Sequence, residues 1–129
     1  MKIVAALFLT VFVVLTAGCS SSSGTVTTVA APAFLEQAQQ GAVTVIDVRS
    51  PEEFAEGHLK GAKNIDVEGP DFATQIAALD KSGTYLVYCR SGRRSTLAAN
   101  QMAAAGFTTI TNLSGGIADL QSAGASIVS

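Results

Sequence analysis

The sequence predicts an α/β fold, a central parallel sheet covered by helices on both faces. Three observations lead there. First, Val43-Thr44-Val45-Ile46-Asp47-Val48, Thr84-Tyr85-Leu86-Val87-Tyr88 and Thr108 to Leu113 are apolar, β-branched runs of buried-strand type. Second, amphipathic or Ala-rich stretches of helical length separate them. Third, the connections are short, and parallel strands linked by helices bury both sheet faces.

Each element has a local reason. Folded structure begins near Thr25 to Val29, and Pro32 to Gln40 reads as a short helix ended by Gly41. After the strand from Val43, Ser50-Pro51-Glu52-Glu53 opens a helix, with Ser50 as N-cap, Pro51 at the first helical position and Glu53 at N3. Gly57 stops it. Asn64 to Val67 is a short strand and Asp71 to Leu79 a helix. The strand Thr84 to Tyr88 delivers Cys89. Ser95 to Ala105 is a helix closed by Gly106, with Leu97, Ala98, Met102 and Ala105 as its core-facing stripe. Thr108 to Leu113 is the next strand, and Ile117 to Ser122 a last helix before Gly124. Glu52, Glu53 and Glu56 read as a solvated helix face.

The chain has 129 residues, is 48% hydrophobic and 14% charged, and carries a net charge of −2. That is a single small globular domain and gives no electrostatic case for nucleic acid as a partner. The start is Met1-Lys2, then an uncharged run from Ile3 to Leu15, then Thr16-Ala17-Gly18-Cys19. The apolar run is shorter than the roughly 20 residues that a bilayer crossing needs. The segment resembles a bacterial lipoprotein leader, whose final small residue precedes a Cys that is lipidated and becomes the mature N-terminus. An ordinary secretory leader cleaved near Ala17 or Gly18 is the alternative. The predicted layout is therefore a signal peptide over 1–18, a lipidated Cys19 with a polar tether over 19–24, and one domain over 25–129. This places the domain in the bacterial cell envelope, outside the cytoplasm and held to a membrane through its lipid.

Only two cysteines occur, Cys19 and Cys89, so lipidation of Cys19 leaves Cys89 without an intramolecular partner. A free thiol in an exported protein is either buried and inert or present to react. The residues after Cys89 favour reaction. Cys89-Arg90-Ser91-Gly92-Arg93-Arg94-Ser95 is a tight strand-to-helix loop in which backbone N–H groups can turn inward as an anion nest, backed by the positive end of a helix. Of the seven Lys and Arg residues after the leader, Arg90, Arg93 and Arg94 lie within five positions, and no carboxylate occurs between Asp80 and Asp119. Such surroundings favour thiolate over thiol.

Four segments carry a family resemblance. Cys89 to Ser95 is similar to the C-R-S-G-x-R-S loop of the rhodanese family, and Asp47-Val48-Arg49-Ser50-Pro51-Glu52-Glu53-Phe54 to its D-V-R-x-x-x-E-[FY] segment. Gly57 to Ile65 is similar to G-H-[IL]-x-G-A-x-N-I, and Asn112-Leu113-Ser114-Gly115-Gly116 to its glycine pair. The resemblance implies a rhodanese-like fold around a sheet of about five parallel strands. It also implies sulfurtransferase activity in which Cys89 becomes a persulfide. The expected partners are a small anionic sulfur donor such as thiosulfate, and a protein donor or acceptor of sulfur. No metal or organic cofactor is implied. Arg90, Ser91, Gly92, Arg93, Arg94 and Ser95 would form the substrate loop, with Asp47, Arg49 and His58 as structural support. After the glycine pair many relatives carry a Trp and then Gly-x-Pro, where this chain has Leu120 and Gly124-Ala125-Ser126.

Other readings use the same residues. A Cys-loop phosphatase or arsenate-reducing enzyme also holds a cysteine in an anion cradle, but it keeps five residues between Cys and Arg. That spacing falls here on Ser95, one past Arg94. A Cys-His protease dyad would need His58, the only His, as its base. A carrier or binding module that passes sulfur without turnover is the remaining alternative.

Overall fold

The computed structural model describes residue 18 and residues 24–129. Leader residues 1–17, Cys19 and the tether residues 20–23 lie outside the described residues. None of the described helices is long and apolar enough to cross a membrane.

The chain runs β1 (Thr25–Val29), α1 (Ala31–Ala38), β2 (Val43–Asp47), α2 (Pro51–Glu56), β3 (His58–Leu59), β4 (Lys63–Asn64), α3 (Phe72–Ala77), β5 (Thr84–Tyr88), α4 (Arg93–Ala104), β6 (Thr109–Leu113), α5 (Ile117–Ser122) and β7 (Ile127–Val128). Five strands form one sheet in the order β1-β6-β5-β2-β4. Every pairing in it is parallel, as the fold class predicts. The three apolar runs are its interior. β1, with three threonines, and the two-residue β4 are its edges, where polar or short strands discourage further pairing.

Period-two alternation divides the core. Ile46, Tyr85, Val87, Cys89 and Ile110 point to the face covered by α3 and α4, where Phe72, Ile76, Ala98 and Met102 meet them. Val45, Leu86, Tyr88 and Leu113 point to the other face, against Phe34 of α1 and Leu120 of α5. Leu120 is fully buried, so an aliphatic side chain fills the space at this point of the C-terminal helix.

Several boundaries differ from those predicted. The expected strand Asn64 to Val67 shortens to Lys63–Asn64. Ile65 and Val67 still donate to Asp47 O (3.0 Å) and Val48 O (3.2 Å), but β2 has ended and their side chains sink into the α3 and α4 core. β3 and β7 form an antiparallel pair that no pattern announced, because two residues carry no period. α4 starts at Arg93, so Arg93 and Arg94 are its first turn and not part of the loop. Leu97 is 47% exposed and leaves the predicted core stripe, which Ala98, Ala99 and Met102 supply.

Candidate active site

β5 ends at Tyr88, and the alternation of the strand sends the next side chain, Cys89, to the α4 face, where the residue is completely buried. The chain must then reverse into α4 within Arg90, Ser91 and Gly92. Gly92 makes the turn with φ of +99°, a left-handed conformation open to glycine at little cost. Its N–H thereby faces back and donates to Cys89 Sγ at 3.0 Å.

Burial pushes the Cys89 thiol up, but hydrogen bonds from the Ser95 hydroxyl and from the backbone N–H groups of Ser95, Ser91 and Gly92 outweigh it. The net result is a thiol below its ordinary value. Donors aimed at sulfur stabilise the anion, and the first turn of α4 adds the positive end of its dipole. Gly92 O is itself held by Thr96 Oγ1 (2.7 Å) and Thr96 N (3.1 Å), which secures the turn to the helix.

The glycine pair after β6 closes the loop from the other side. Ile117 N donates to Cys89 O at 3.0 Å, and a Cβ on Gly116 would lie 1.7 Å from Arg90 O. Only a residue without a side chain lets the two loops touch. Asp119 Oδ2 then accepts from Gly116 N at 2.8 Å and holds the start of α5.

The three arginines part company. Arg94 is bound through both terminal nitrogens to Glu53 of α2, at 2.7 and 2.8 Å, with both side chains partly buried. Arg94 hydrogen-bonds Glu53 and holds its carboxyl down at about 2. Glu53 is therefore an ion-pair partner and not part of a solvated face. Its place in the D-V-R-x-x-x-E-[FY] segment was the available signal. Arg93, 82% exposed, reaches Glu68 only at 3.7 Å, and Arg90 is exposed with no ion pair among the described residues. Ser91 is exposed beside it.

Asp47 and Arg49 pair with each other where β2 ends. Arg49 Nη2 and Nε bind Asp47 Oδ2 at 2.6 and 3.1 Å, Nη2 also donates to Gly57 O at 2.7 Å, and the guanidinium stands 5.9 Å from the centre of the Tyr88 ring. Asn64 Nδ2 donates to Asp47 O and Arg49 O, and Tyr88 Oη accepts from Leu59 N at 2.9 Å. This network joins the end of β2 to β3 and β4. His58 stacks on Phe54 at 3.6 Å between ring centres, and its Nδ1 lies 2.9 Å from Phe54 O. No hydrogen bond joins His58 to Cys89 among the described residues. The thiol thus lies among N–H donors, with one solvated cation in the loop, Arg90, and a second at the start of α4, Arg93, an arrangement suited to a nucleophile that meets a small anion.

Comparison with known proteins places the chain by family and fold. The family model described as Rhodanese-like domain matches residues 30–123. The thiosulfate sulfurtransferase GlpE of Pseudomonas aeruginosa is 35% identical over 86 residues, covering 67% of this chain and 76% of that protein. The thiosulfate sulfurtransferase PspE of Escherichia coli is 37% identical over 75 residues, 58% of this chain and 71% of its own. Among solved structures, a rhodanese-related protein from Thermoplasma volcanium superposes with a TM-score of 0.69 at 27% identity, covering 79% of this chain and 97% of that one.

Proposed function

The chain belongs to the rhodanese-like domain family, and from that premise we propose that it is a sulfurtransferase in which Cys89 carries sulfane sulfur as a persulfide. The observation that carries the reading is the buried Cys89 sulfur, lowered in pKa by the donors of its own loop. The names of the GlpE and PspE relatives supply the donor class.

In the first step the Cys89 thiolate attacks the outer sulfur of thiosulfate. A new S–S bond forms, the old one breaks, and sulfite leaves with the electron pair. In the second step a thiophilic acceptor attacks the outer sulfur of the persulfide, and the bonding pair returns to Cys89 as thiolate. This is a ping-pong cycle. The N–H groups of Ser91, Gly92 and Ser95 stabilise the anion at both ends of it, as preorganised donors do. Arg90 and Arg93, both in solvent at the mouth of the loop, attract the anionic donor. Arg94 is committed to Glu53 and shapes the loop.

We also propose that residues 1–18 are removed and that Cys19 is lipidated, which would hold the domain at the bacterial envelope. The support is the run Leu15-Thr16-Ala17-Gly18-Cys19.

The test is mass spectrometry of the protein before and after thiosulfate. Wild type gains one sulfur atom on Cys89 and loses it to cyanide or a thiol, whereas Cys89→Ser gains none. Hydrolysis of a phosphate ester with no sulfur on Cys89 would replace this reading with a phosphatase.

A further inference from the structure

On the sheet face opposite Cys89, at the far end of β2, lies a groove of about 870 Å³. Its floor is apolar, from Leu35 and Ala38 of α1, Val43 and Val45 of β2, Leu59 and Ala125. Its rim carries Glu36 on the α1 side and Lys60 and Lys63 on the other. The three rim charges form no ion pair with one another or with any other described residue, and Glu36, Lys60 and Lys63 are exposed.

Beside the groove the sheet is unfinished. β4 pairs with β2 only through Ile46↔Lys63 and Asp47↔Asn64, whereas β5 pairs along all of β2 from Val43. Asp47 O accepts from Ile65 N on the β4 side, and Val48 N donates to Tyr88 O on the β5 side. Backbone groups alternate in direction along a parallel strand. Val45 and Val43, two and four residues before Asp47, therefore face the β4 edge. β4 does not extend beside them, so among the described residues the N–H of Val45 and both polar groups of Val43 meet no strand. An open strand edge above an apolar trough is the geometry that accepts an added strand.

We propose that this edge docks an extended segment of a partner protein, acidic and with apolar residues at alternate positions. Its backbone pairs with Val43 and Val45, its alternate apolar side chains lie on Leu35 and Leu59, and its carboxylates meet Lys60 and Lys63. Two cations against one Glu on the rim set the sign of the charge, and the open N–H and C=O groups set the extended conformation. The site is independent of the chemistry proposed for Cys89.

The probe is a fluorescent synthetic peptide alternating Val with Glu, titrated into the full chain and followed by anisotropy and by amide hydrogen exchange. Saturable binding with slowed exchange at Val43 and Val45 is expected. Methylating the peptide nitrogens that face β2 should weaken it up to about tenfold per lost bond. Lys60→Glu with Lys63→Glu should reverse the preference toward the same peptide with Lys in place of Glu. Val43→Pro should weaken binding through the lost N–H, and if that variant fails to fold the methylated peptide asks the same question. Absence of saturable binding, indifference to methylation, or equal binding of the acidic and basic peptides would overturn the proposal. So would protection of Val43 and Val45 in the free protein by self-association in sedimentation. Sulfur gain on Cys89 is unchanged in the double Lys variant.

Discussion

At Gly116 a Cβ would fall 1.7 Å from the backbone oxygen of Arg90, and backbone cannot turn aside as a flexible side chain can. Gly116→Ala should therefore separate the Cys89 loop from the start of α5, at a cost of roughly 1–3 kcal/mol, the usual range for overpacking. Urea denaturation measures that cost, and slower alkylation of Cys89 near neutral pH would show that the cradle has loosened. Arg93 and Arg94 should separate in kinetics. Arg93 is solvated, so Arg93→Ala is expected to raise KM for thiosulfate by up to about fivefold, with the effect fading at high salt. Arg94→Ala should lower kcat and stability together, because it frees Glu53 and unlatches the loop. The Asp47 and Arg49 pair is fully enclosed. Asp47→Asn leaves a buried guanidinium without its counter-charge and should cost about 3–5 kcal/mol in urea denaturation.

Between elements, the Glu53 and Arg94 contact ties α2, after β2, to α4, after β5. The Glu53 carboxyl is held at about 2, against 4.5 ordinarily, first by its hydrogen bonds to Arg94. A carboxylate with a depressed folded-state pKa lends stability that is complete above its unfolded value and disappears as pH falls through the folded one. The stability difference between wild type and Glu53→Gln should be constant above about pH 5 and shrink between pH 4.5 and about 2. A difference that persists unchanged at the acid end would mean that the pair contributes through packing alone. The α2 cap works on a smaller scale: Ser50 Oγ accepts from Glu53 N at 3.3 Å, so the residue that opens the helix also aims the carboxylate.

Over the whole molecule, two cores sandwich one sheet, and the thiol sits where the central strand leaves it, the end at which open α/β sheets bind ligands. If residues 1–18 and Cys19 act as proposed, Cys19→Ala should move the protein from the membrane to the soluble fraction while the domain still gains sulfur from thiosulfate. Retention at the membrane would remove the lipid anchor from the account. Much of this architecture is legible from neighbours in sequence. The runs at β2, β5 and β6 declare buried strands by composition. Ser50-Pro51 declares the start of α2, and Arg90-Ser91-Gly92 after Cys89 declares a tight turn. All of these depend on period, capping and backbone freedom, which act over a few residues. The sequence alone determined the parallel α/β class and singled out the cysteine on which the proposed chemistry turns. Tertiary structure decided that Arg94 is bound to Glu53, 41 residues away, while Arg90 and Arg93 stay in solvent. It also decided that Leu97 faces water, that β4 stops after two residues, and that β3 finds β7. Those outcomes rest on which distant surfaces the sheet order brings together, and no local period or cap encodes the choice of a partner across the fold.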